Sequence, residues 1–177
     1  MESRAKILGH PIHQMLIPFP LGLLGTAVIF DIIYLVWGNQ TFATVSYWMI
    51  IAGIVGGLVA APFGLIDWLA VPKGTRAWKV GLLHAVGNVF VLLLYFGSWW
   101  LRREATGASG AAAASANIPS TLALVLSFAG FGLAGVTGWL GGELVDRLGV
   151  GVDNGANLDA PSSLSGRPAA AGASRER

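Results

Sequence analysis

The chain has 177 residues, 54% of them hydrophobic and only 11% charged, with a formal net charge of +2. Ordinary soluble domains carry roughly a quarter charged residues, so this composition excludes that class, and the small positive excess gives no ground for nucleic-acid binding. Cysteine is absent, which excludes disulfides, thiolate metal sites, iron–sulfur clusters and haem attached through C-x-x-C-H.

Taken in chain order, the segment "GHPIHQMLIPFP" sets His10 and His13 directly before the first apolar run. Pro11 pushes His10 toward an extended or N-cap geometry and puts His13 in the first helical turn. Four apolar runs follow, at about residues 17–37, 47–69, 80–101 and 120–142. Each has the twenty or so residues that a helix needs to cross about 30 Å of hydrocarbon. Backbone groups in lipid must be satisfied within the segment, which makes helices the default. The first run is too long for a cleavable signal peptide. The expected fold is therefore all-α, an integral membrane four-helix bundle over residues 1–152. Residues 105–117 ("ATGASGAAAASAN") and 153–177 can bury too little apolar surface to offset ordering, so they read as a flexible loop and a disordered tail.

Cations set the orientation. Arg4 and Lys6, then Lys73, Arg76 and Lys79, then Arg147 all flank the spans on one side, against Arg102 and Arg103 on the other. The excess of basic residues on cytoplasmic loops then places both termini in the cytoplasm. Trp37, Tyr47, Trp48, Trp68, Trp78, Trp99 and Trp100 fall near span ends, as interfacial aromatics do.

The rare polar residues are the functional candidates. His10, His13, His84, Asp67 and Glu143 are expected in one layer at the cytoplasmic side. Asp31 lies toward the outer half of the first span, where an ionisable group is costly and is a functional candidate by default; Tyr34 and Asn39 are its expected partners, or it is protonated. On the third span His84, Asn88, Tyr95 and Trp99 share one face. Asp67 is expected to cap a loop or pair with Lys73 or Arg76, and Glu143 to pair with Arg147 one turn on. Small residues recur at Gly53, Gly57, Ala61 and Gly64 and at Gly135, Gly138 and Gly142; such stripes serve packing within the bundle first and a homodimer interface second.

Two chemistries suit these residues. His84 with His10 or His13 would supply axial ligands to haem b. Alternatively, His10, His13 and His84 with Asp67 or Glu143 would make a nitrogen-rich site for zinc, copper or iron. No hydrolase or transferase motif is present.

The blocks "GHPIHQMLIPFPLGL", "GLIDWLAVPKGTRAW", "GLLHAVGNVFVLLLYFGSWWLR" and "GWLGGELVDRLGVGV" resemble those of a bacterial membrane-protein family known as domain of unknown function 2231, over about residues 7–152. The resemblance implies four helices in the bacterial plasma membrane. It maps the family's motif residues onto His10, His13, Asp67, His84 and Glu143. Fusions of family members to Rieske-type iron–sulfur domains imply electron transfer, with such a protein as redox partner. Gln14 and Leu148 depart from the family pattern where proline and histidine are expected, and Leu148 excludes a four-histidine site. Three readings stay open: a redox subunit holding haem b or a transition metal, a small proton-coupled transporter using Asp31, and a cofactor-free structural or assembly partner of a membrane complex.

Overall fold

A computed structural model describes residues 1–103 and 117–171. It contains four helical stretches long and apolar enough to cross a membrane, Ile12–Trp37, Gln40–Leu69, Arg76–Arg103 and Thr121–Arg147. The first is interrupted at Ile17, giving a short α1 (Ile12–Leu16) and α2 (Pro18–Trp37). They are followed by α3 (Gln40–Leu69), α4 (Arg76–Arg103) and α5 (Thr121–Gly142), the last continuing as a π turn over Glu143–Arg147. α2 packs on α3, α3 on α4, α4 on α5 and α5 back on α2, so the four long helices close into a bundle.

α3 and α4 start earlier than the apolar runs because local caps start them. Gly38, at φ 69°, ends α2, and the Asn39 side chain accepts from the Thr41 amide to begin α3 at Gln40. The expected loop before residue 47 thus shrinks to Gly38 and Asn39. Thr75 accepts from the Trp78 amide ahead of α4, and Ser120 accepts from the Ala123 amide ahead of α5. α4 also runs on through Arg102 and Arg103, which were expected beyond the end of the third span.

Large apolar side chains cover much of the outside of the helices, and a charged and polar cluster is buried within. Phe19, Ile29, Leu58, Phe90, Val125 and Trp139 are exposed, while Arg102, Asp31, Ser46, Ser98 and Ser127 are among the fully buried side chains. A soluble protein does the opposite with its charges; hydrocarbon is the solvent this surface suits. The apolar core, around Leu24, Ala27, Val28, Ile50, Ile54, Val91 and Tyr95, fills the middle of the bundle.

One end carries a cap. Two short strands, β1 (Lys6–Ile7) and β2 (His10–Pro11), pair antiparallel across a turn in which Leu8 and Gly9 both have positive φ. The tail, expected to be disordered from residue 153, is described to residue 171 as turns with one 3₁₀ turn at Ser163–Ser165. It lies against the N-terminal segment, where Lys6 pairs with Asp153 and the Asn154 amide donates to Glu2. Of the expected flexible loop at 105–117, all but Asn117 lies outside the described residues.

Candidate functional site

The site is organised by α4. His84, Asn88, Val91, Tyr95, Ser98 and Arg102 follow each other at spacings of four and three, the repeat that keeps one helical seam turned toward its neighbours. Every position on this seam except Val91 is polar. Tyr95, Ser98 and Arg102 are fully buried. The seam joins two polar clusters at opposite ends of the bundle.

The cluster at the α4 C-terminal end is an ion pair. Arg102 donates to both Asp31 oxygens at 2.7 Å, and neither side chain is exposed. The guanidinium also reaches the hydroxyls of Ser46, Ser98 and Ser127 at 3.2–3.4 Å, and Ser127 donates to Asp31 at 3.1 Å. Asp31 comes from α2, Ser46 from α3, Ser98 and Arg102 from α4, and Ser127 from α5, so all four long helices meet here. This corrects the expectation that Asp31 pairs with Tyr34 or Asn39. Arg102 was missed because it was read as a flanking loop residue; its register with His84, Asn88 and Tyr95 was the available signal.

The cluster at the other end is a histidine pair. His13 Nδ1 donates to the Ala60 carbonyl at 2.9 Å, and His84 Nδ1 donates to the Thr137 carbonyl at 2.9 Å. A carbonyl can only accept, so Nδ1 carries the proton in both rings, and in the neutral imidazole Nε2 keeps its lone pair. The two anchors share one device. Four residues after each accepting carbonyl stands a glycine, Gly64 after Ala60 and Gly141 after Thr137, and each imidazole lies on it. A β-carbon at Gly64 would come within 2.7 Å of the His13 ring, and one at Gly141 within 3.1 Å of the His84 ring. Side chains on a helix lean toward its N-terminus and cover the preceding turn, so these glycines uncover the carbonyls that the imidazoles reach. The rings meet edge to face with centroids 6.5 Å apart.

The other expected members of the layer lie apart. His10 is exposed, its Nε2 3.4 Å from the Ser163 hydroxyl. Asp67, expected to cap a loop or to pair with Lys73 or Arg76, instead accepts from the Ser3 hydroxyl at 2.8 Å and from the Arg4 amide at 2.7 Å, holding the N-terminal segment against α3. Glu143 pairs with Arg76 at 2.5 Å rather than with Arg147, because antiparallel packing sets the start of α4 beside the end of α5. Among the described residues no group of three or more histidine, cysteine or acidic side chains is placed to hold a metal ion, so the five-residue ligand set does not assemble; His13 and His84 alone come together. Asn88 stands beside His84, with its amide 3.2 Å from Nε2. Neither of two surface cavities, one bordered by Phe96, Trp100 and Leu126 and the other by Trp139, Glu143 and Arg147, touches a histidine.

The glycine stripes divide. Gly53, Gly57 and Gly64 of α3 are filled within the bundle by Leu24, Leu92 and His13, whereas Gly135 and Gly138 of α5 have nothing within 4 Å of a β-carbon position.

The family described as "Predicted membrane protein (DUF2231)" matches residues 9–154. No curated protein and no solved structure matches the chain.

Proposed function

The chain belongs to the predicted-membrane-protein family DUF2231, and on that premise we propose an integral membrane electron-transfer subunit in which His13 and His84 hold one redox-active transition-metal ion. The observation that carries this reading is the common anchoring of the two imidazoles through Nδ1 to helix carbonyls. Ligating histidines are oriented in this way, with the second ring nitrogen left to the metal. Two metal–nitrogen bonds of about 2 Å, with about 1.1 Å from each nitrogen to its ring centre, span at most about 6.2 Å, reached in linear coordination, so the rings, with centroids 6.5 Å apart, need to close by a few tenths of an ångström or more to share one ion. Copper and iron both accept imidazole and change oxidation state. A single ion suits the pair better than haem b, since each ring is pressed on a glycine face. The cations of the N-terminal segment, of the α3–α4 loop and of Arg147 flank this end, which supports a cytoplasmic position for both termini in a bacterial plasma membrane. A Rieske-type iron–sulfur protein is the redox partner that the family resemblance suggests.

The test is metal content and an absorption spectrum, oxidised and reduced, of the full chain purified from cells supplied with haem, iron and copper. Stoichiometric metal, lost in His13→Ala and in His84→Ala, is the expected result. Colourless, metal-free wild-type protein overturns the reading, and a Soret band replaces the bare ion with haem. The transporter reading weakens because Asp31, its relay carboxylate, is held by Arg102. The assembly-partner reading draws support from the open α5 face at Gly132, Gly135 and Gly138, where another helix can approach closely. It expects a complex or homodimer in mild detergent that Gly135→Leu disperses; a lone wild-type particle rejects it.

A further inference from the structure

His13 and His84 are anchored alike but are not equally available. The described residues put no hydrogen-bond donor on His13 Nε2, whereas His84 Nε2 faces the Asn88 amide at 3.2 Å. Asn88 is itself fixed from two sides. Its amide donates to the His84 carbonyl at 2.8 Å, and its side-chain oxygen accepts from the Thr137 hydroxyl at 3.1 Å. Thr137 also supplies the carbonyl that takes the His84 Nδ1 proton. The three residues therefore form a closed ring across the α4–α5 interface, in which His84 is satisfied at both nitrogens. The Thr137 hydroxyl divides its hydrogen between Asn88 and the Ala134 carbonyl, so the Asn88 side chain can move without stranding that hydroxyl.

We propose that Asn88 caps the ligand nitrogen of His84, so that a metal ion enters on His13 and gains its second imidazole only by displacing the Asn88 amide. The inference rests on the metal-ion reading above and assigns Asn88 as a positioning residue that sets the order of ligation. Two coordinate bonds form, one to each imidazole, and one hydrogen bond, from the Asn88 amide to His84 Nε2, is given up; no covalent bond of the chain changes.

The test uses the full chain in detergent with ¹⁵N-labelled histidine, in a His10→Ala background so that the exposed imidazole takes no ion, and Cu²⁺ as the probe. In Asn88→Ala the His84 Nε2 resonance shifts as its hydrogen bond is lost, the His13 resonances stay in place, and Cu²⁺ binds about three- to tenfold more tightly, the equivalent of one net hydrogen bond. Thr137→Val, which keeps the accepting carbonyl and loosens Asn88, moves both readouts the same way by less and serves if Asn88→Ala fails to fold. An unchanged His84 Nε2 resonance overturns the cap whatever copper does. A shifted resonance with unchanged or weaker copper binding overturns the gate alone. A shifted resonance with no copper bound by either protein overturns the metal-ion reading, and the gate with it.

Discussion

Replacing Asp31 by Ala tests the reasoning about the buried cluster most directly. Arg102 would lose both bonds to the carboxylate, and the hydroxyls of Ser46, Ser98 and Ser127, all at 3.2 Å or more, would remain as its only neighbours in the cluster. Removing one member of a buried ion pair costs about 3–5 kcal/mol because the survivor is an uncompensated charge. That is about a hundred- to several-thousand-fold in the folding equilibrium. Arg102→Met should cost a similar amount, since it strands Asp31. The double variant Asp31→Leu with Arg102→Met removes both charges and should lie within about 2 kcal/mol of the wild type, because most of each single loss is the penalty on the partner left behind. Unfolding in mixed micelles by titrated denaturing detergent, followed by tryptophan fluorescence, measures all three. A single variant costing less than about 1 kcal/mol, the value of an exposed pair, would refute the argument, as would a double variant costing the sum of the two singles.

Gly64→Ala would drive a β-carbon into the His13 ring; overpacking of this kind costs about 1–3 kcal/mol, and thermal unfolding together with lost metal uptake checks it, while Gly64→Ala at wild-type stability contradicts it. In Asp67→Asn the charge-assisted bonds to Ser3 and Arg4 are lost, worth about 1.5–3 kcal/mol each at most, so trypsin should cut after Arg4 distinctly faster while the bundle stays folded. The cap should also respond to pH and salt. Lys6 is held above its ordinary range chiefly by its bond to Asp153, then by Glu2, and Glu2 is held below its own chiefly by its bond to Lys6, then by the Asn154 amide. The lysine contribution is complete below the ordinary lysine value and disappears as pH rises through the raised one. The glutamate contribution is complete above the ordinary carboxylate value and disappears as pH falls through the lowered one. Hydrogen exchange of residues 2–7 should therefore show protection between these limits, weakened by salt because the groups are exposed; protection indifferent to both would contradict it.

The four crossings were legible because some twenty consecutive apolar residues have few other uses. Their ends were not, since Asn39, Thr75 and Ser120 act through single side-chain-to-amide bonds that hydropathy does not register. The meeting of His13 with His84 was within reach of the sequence. The anchors were hidden, because Ala60 and Thr137 contribute carbonyls and carbonyls leave no mark on a sequence; only the glycines four residues later point to them. Asp67 was hidden for the same reason, its partners being chiefly the hydroxyl and amides of a segment some sixty residues away. Arg102 shows the opposite case: the residue was plain, but counting it among loop cations for orientation concealed that it continues the seam of α4.

The Asp31–Arg102 cluster also has a consequence for biogenesis. Synthesis runs from the N-terminus, so the carboxylate is threaded into the bilayer two helices before the guanidinium emerges. Until α4 arrives, the acid lacks the base that claims it in the finished bundle. The late-coming base thereby acts as the clasp that turns separately inserted rods into a single object.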